Sequence, residues 1–215
     1  MRNNNNYKIR EIFEKNKNLP FFTLDTLLPI ETNRDYLKIM LSRAAKSGEI
    51  VRLKKGIYVT KYYLEKARVN QKMSSYSEFL ANNIYRPSYL SLEYVLYENN
   101  MLTEVPINYT SVAMNKTANF TNSLGNFFYQ KIKKDLFVGF FIELKDDYLV
   151  GKATKAKALF DFLYLRKSIL VNKESIQELR LNMSVFGSKD KKEFERYVKI
   201  DKSSKMNQIF HYVFE

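Results

Sequence analysis

The chain has no cysteine and only one histidine, His211, in 215 residues. The first absence excludes disulfides and thiolate metal sites. The second argues against a serine-protease-like triad or a histidine-rich metal centre. His211 stands among Ile209, Phe210, Tyr212 and Val213 and reads as a packing residue. No apolar run approaches the roughly 20 residues of a membrane span. The opening Met-Arg-Asn-Asn-Asn-Asn lacks the apolar core of a signal peptide. A cytoplasmic protein with no membrane partner is therefore expected. The sequence holds neither a Walker motif nor a Gly-x-Gly-x-x-Gly loop. No catalytic residue, metal or cofactor is expected.

What the chain has in excess is positive charge, a net of +13. Residues 1–72 hold 16 basic and 7 acidic residues, residues 73–165 hold 9 of each, and residues 166–215 hold 11 and 7. The excess thus sits mainly in the first third, with a net of +9 there and +4 in the last segment. A lysine- and asparagine-rich composition also follows from an AT-rich coding sequence, so the high pI alone says little. A neutral middle segment is harder to derive from global bias. A basic face attracts polyanions and releases counterions on binding. With 45% hydrophobic residues, the chain can bury real cores in one or two domains.

The basic first third contains the most informative stretch, Asn33 to Val59. Leu37, Met40, Leu41 and Ala44 recur at i, i+3, i+4 and i+7 and predict one apolar stripe on a helix. Thr32 and Asn33 suit its N-cap, and Thr32 with Asp35 approximates a capping box. Gly48 suits its left-handed stop. Glu49 to Leu53 and Ile57 to Val59 read as strands, joined by a Lys54-Lys55-Gly56 turn in which Gly56 supplies the positive φ. Upstream, Tyr7 to Lys17 carries Ile9, Ile12 and Phe13 at helical spacing. Thr23 opens a short helix, Leu24 to Leu28, before Pro29. Helix, short helix, long helix and hairpin is the order of a winged helix-turn-helix. Arg34, Lys38, Ser42, Arg43 and Lys46 would then lie on a DNA-facing helix, and Arg52, Lys54 and Lys55 on the wing.

Residues 73–215 read as a second domain after 1–72. Lys61 to Arg68 reads as a helix and Met73 to Tyr76 as a hinge. Ser77 to Ile84 is a helix, and Ser88 to Ser91 caps another that runs to Glu98. From Tyr109 the period becomes alternating, with strands at Tyr109 to Met114, Asn126 to Ile132, Phe137 to Leu144 (the expected central strand) and Tyr148 to Lys152. Thr154 caps a helix over Lys155 to Leu165, with Ala158, Leu159, Phe162 and Leu165 on one face. Asp161 interrupts that apolar helix and reads as structural, paired with Lys157 at i−4. Three helices follow, near Lys173 to Leu181, Lys189 to Val198 and Lys205 to Phe214. The whole predicts an α+β fold: a winged helix-turn-helix, then a mixed domain with an antiparallel sheet flanked by helices.

Three stretches carry a family likeness. They are A-K-S-G-E-I-V-R-L-K-K-G-I-Y-V at 45–59, R-P-S-Y-L-S-L-E-Y-V-L-Y-E-N-N-M-L-T-E at 86–104, and K-A-K-A-L-F-D-F-L-Y-L at 155–165. In order and spacing the chain resembles the AbiEi-type antitoxins of the AbiE abortive-infection toxin–antitoxin systems. The resemblance implies a winged helix that binds inverted repeats in its own promoter and represses its operon. It also implies a C-terminal domain that counters a nucleotidyltransferase-like toxin. Two rivals stand beside this. One is a stand-alone winged-helix transcription factor. The other is a Mg²⁺-dependent restriction-like nuclease, because Glu143-Leu144-Lys145 ends an apolar strand eight residues after Asp135.

Overall fold

In a computed structural model, residues 11–214 are described. The fold is α+β, and the chain divides into two compact units. The first ends at Ser77 and includes Thr121–Leu124. The second comprises Glu78–Phe120 and the chain from Gly125 onward. The division falls inside a helix, five residues after the boundary expected at 72/73.

In the first unit, residues 11–16 are helical (α1), while Tyr7 to Arg10 of the predicted helix lie outside the described residues. Thr23 caps α2 (Leu24–Leu27) through a reciprocal pair with Thr26. In α3 (Arg34–Ser47) the cap is Asn33, not Thr32, and its side chain accepts from the amides of Asp35 and Tyr36. Gly48 ends α3 at φ +78, and Gly56 turns the following hairpin at φ +84. The hairpin strands, β2 (Ile50–Lys54) and β3 (Ile57–Thr60), pair antiparallel. A two-residue strand that periodicity could not reveal, β1 (Phe22–Thr23), joins the other edge of β3. Ile12, Phe22, Leu27, Leu37, Met40, Leu41, Ala44 and Ile50 form the core. Helix α4 (Lys61–Val69) follows, capped by Thr60.

The expected hinge at Met73 to Tyr76 is instead the first turn of α5 (Met73–Ile84). Tyr76 is fully buried, packs at 5.3 Å from the Tyr63 ring, and donates its hydroxyl to the Pro20 carbonyl at 2.6 Å. A short Ser-rich sequence looks like a linker, but this buried ring holds it in helical register.

The second unit is built on a six-stranded sheet. Its strands are β4 (Ser88–Leu90), β5 (Asn108–Ala113), β6 (Ala118–Asn122), β7 (Gly125–Lys131), β8 (Phe140–Lys145) and β9 (Tyr148–Ala153), in the order β6-β7-β5-β4-β9-β8. The sheet is mixed, a correction to the antiparallel sheet expected: β4 runs parallel to β9, and β5 parallel to β7. Alternation fixes which face a residue takes but not strand direction. Ser88 to Leu90 reads as a cap because three residues show no period; they form an interior strand, and Ser91 takes the N-cap of α6 (Leu92–Glu98). The expected central strand, Phe137 to Leu144, is also corrected. Its first residues form a bend through Gly139, and the remainder is β8, the edge strand.

Helix α7 (Lys155–Arg166) is buried on every side from Ala156 to Tyr164, not on the single face expected. The helix predicted over Lys173 to Leu181 shrinks to α8 (Lys173–Gln177), since Arg180 adopts φ +50. Helices α9 (Ser188–Asp201) and α10 (Ser204–Phe214) complete the unit. No helix among the described residues is long and apolar enough to cross a membrane.

Candidate nucleic-acid interface

The stripe that buries Leu37, Met40, Leu41 and Ala44 turns the polar residues of α3 outward. Arg34, Lys38, Ser42, Arg43 and Lys46 are all exposed, as are Arg52 and Lys55 on the hairpin. Between α3 and the hairpin lies a groove of about 520 Å³, lined by Lys38, Ser42, Lys46, Arg52 and Lys55 over a base of Leu24, Ala45, Gly56 and Tyr58. The structure thus brings five of the eight predicted residues together.

The other three are placed differently. Arg34 lines no part of the groove and pairs with Asp25 at 2.8 Å. Arg43 is exposed on α3 but lies outside the groove lining. Lys54 is partly buried, and burial lowers its pKa. The ladder explains this: register shifts between Arg52 and Lys54, so simple alternation fails beyond Arg52. Lys55 takes the groove position instead.

Tyr58 and Leu24 were missed by sequence reasoning. Tyr58 was findable, because it sits directly across the ladder from Arg52 and so shares its face. Leu24 enters from α2 and had no local signal.

The groove is electrostatically uncommitted. Lys46, Arg52 and Lys55 have no acidic partner among the described residues. Lys38 contacts Asp35 at 2.9 Å, and its hydrogen bond holds that carboxyl below its ordinary value. Both side chains are exposed, and such pairs exchange partners at little cost. Chemically, four cations around a groove that also exposes Leu24, Ala45 and Tyr58 can hold a polyanion.

The second unit holds two ionic clusters. In the first, Lys157 and Asp161 are fully buried, 2.5 Å apart, as the i−4 spacing predicts. Tyr89 and Ser91 donate hydroxyls to Asp161 Oδ2 at 3.0 and 2.8 Å. Lys157 also lies over the Phe160 and Tyr197 rings. Burial pushes the Asp161 carboxyl up and the Lys157 ammonium down, each offset in part by the other. Every member is sealed in the core.

The second cluster contains the suspected nuclease residues. Lys152 contacts Glu98 at 2.9 Å, Glu143 at 3.0 Å and Glu78 at 3.2 Å, and Lys145 pairs with Glu78. Burial lowers the Lys152 pKa, but the surrounding carboxylates outweigh it and raise the net value. Asp135 sits in a one-turn 3₁₀ helix, Lys134–Leu136, outside this cluster. Glu143 and Lys145 are thus consumed in ion pairs. Among the described residues no three of His, Asp and Glu are grouped so as to hold a metal ion.

Compared with known proteins, the chain matches no family model and no curated protein.

Proposed function

We propose that the first unit is a winged helix-turn-helix that binds double-stranded promoter DNA, and that the chain is the repressor-antitoxin of a bacterial toxin–antitoxin operon. One observation carries the DNA-binding reading: the basic groove between α3 and the β2–β3 hairpin. An α-helix of the size of α3 fits the B-DNA major groove, about 12 Å wide. With α3 so placed, one sugar-phosphate strand would run between helix and hairpin, against Lys38, Lys46, Arg52 and Lys55. Arg43, exposed mid-helix and outside the groove lining, would then be the residue to meet base edges. The concentration of net charge in residues 1–72 supports the same reading.

The antitoxin reading rests on the likeness of residues 45–59, 86–104 and 155–165 to AbiEi-type antitoxins. In this reading the second unit counters a nucleotidyltransferase-like toxin in the cytoplasm. Two experiments test the proposal. Fluorescence anisotropy should show preference for DNA from upstream of the chain's own reading frame over random duplex, and equal affinity for both would remove the repressor role. Co-expression with the adjacent reading frame should relieve growth arrest caused by that frame alone. Arrest that persists would remove the antitoxin role and leave a transcription factor.

A further inference from the structure

The β8 edge of the second unit lacks the usual protection against strand pairing. Edge strands are normally blunted by proline, a bulge or an outward lysine. Strand β8 has no proline, and its register with β9 is continuous from Phe140↔Ala153 to Lys145↔Tyr148. Its one cation, Lys145, is held by Glu78, and its one acid, Glu143, by Lys152. The remaining side chains are apolar and open to solvent: Phe140 is 36% exposed, Phe141 45%, Ile142 67% and Leu144 70%. Leu149, across the ladder from Leu144, is 62% exposed.

The free backbone groups can be assigned. Thr154 N donates to Gly139 O at 3.1 Å. Hydrogen-bonded positions alternate along an antiparallel ladder. Gly139, Phe141, Glu143 and Lys145 therefore bond toward β9, and Phe140, Ile142 and Leu144 aim their N–H and C=O groups at the open edge. These three also share one side-chain face.

We propose that β8 pairs antiparallel with β8 of a second copy of this chain, about a two-fold axis through Ile142. Strand β8 is self-complementary in that register. Ile142 faces its own copy, and Phe140 faces Leu144 of the second copy in both directions. Each of the three outward residues exchanges backbone hydrogen bonds with an outward residue. The shared face becomes a continuous apolar strip that runs from Leu149 through Leu144 to Phe140 of the second copy. An isologous contact of this kind closes on itself and ends at a dimer. With large apolar side chains at roughly 150–200 Å² each, the four exposed residues of the strip offer up to about 400 Å² per copy. The backbone and the strip's margins add to this, toward the approximately 800 Å² per partner of a standard interface. The proposal stands apart from the DNA-binding reading.

The test uses the full chain. Sedimentation equilibrium should give a species of twice the 25.5 kDa chain mass at micromolar concentration. Ile142→Lys, at an exposed position, should leave circular dichroism and melting unchanged while weakening association by at least roughly tenfold, since it would bring two cations together at the axis. Because the chain has no cysteine, Ile142→Cys adds one thiol per copy. At the axis the two thiols' Cα atoms would be about 5.5 Å apart, within disulfide range. Oxidation should therefore give a covalent dimer from Ile142→Cys and none from Leu149→Cys, which lies one strand from the axis. A monomeric parent chain, or a dimer that survives Ile142→Lys and fails to cross-link through residue 142, would overturn the proposal. A pairing of β8 with another protein instead would appear as the first of these results.

Discussion

Asp161 shows how much one buried carboxylate can commit. It neutralises Lys157 and accepts from both Tyr89 and Ser91. Asp161→Ala leaves a buried ammonium unpaired and should cost about 3–5 kcal/mol in denaturant unfolding. Lys157→Met with Asp161→Asn removes the charge and keeps an acceptor for the two hydroxyls. That double variant should recover most of the loss, and an equally unstable one would show that the pair's charge is not what matters. Gly139 is a second sensitive residue. It sits at φ +77, and a Cβ there would overlap the Tyr197 hydroxyl and come within 2.6 Å of its ring Cζ. Gly139→Ala should destabilise by about 2–4 kcal/mol, combining overpacking with backbone strain. Gly48→Ala, with a similar φ but open space around it, should cost only about 1 kcal/mol. The Asp161–Lys157 pair was legible from spacing. The Gly139–Tyr197 contact was not, because it joins residues 58 positions apart with no local pattern.

At the scale of elements, local signals were read correctly where a cap, a stripe and a stop agree. Helix α3 has all three; α7 has the cap, with Thr154 accepting from the Lys157 amide, but no single stripe. Elements too short to carry a period were lost, β1 with two residues and β4 with three, and the five-residue β6 was lost because Phe120 is its only large apolar residue. The apolar run at 137–144 misled for a different reason. Continuous hydrophobicity marks a strand covered on both faces, and here it marks an uncovered edge. The hairpin tip repeats the lesson at one-residue resolution, because the irregularity after Arg52 exchanges the roles of Lys54 and Lys55. On the DNA-binding reading, Lys55→Ala should weaken binding to all duplex sequences, with a flatter salt dependence by about one unit. Lys54→Ala should do less, and the reverse order in anisotropy titrations would return the phosphate contact to Lys54.

For the molecule as a whole, the charge split and the change of period separated an N-terminal part from the rest, but not where compact packing does. A cut after residue 72 removes Tyr76 and with it the ring contact to Tyr63 and the bond to Pro20. A fragment of residues 1–84 should therefore melt at a clearly higher temperature than one of residues 1–72, because loss of a large buried ring costs about 3–5 kcal/mol. Equal melting temperatures would mean that Tyr76 contributes nothing to the first unit. The central claim is that the groove between α3 and the hairpin binds the DNA backbone. Its most direct test is the salt dependence of DNA affinity for the full chain and for Lys38→Ala/Lys46→Ala/Arg52→Ala/Lys55→Ala. The account predicts weaker binding to every duplex, and a plot of log affinity against log salt that is flatter by about 3.6 units, roughly 0.9 for each of the four phosphates no longer neutralised. Unchanged affinity and slope in a correctly folded variant would contradict it.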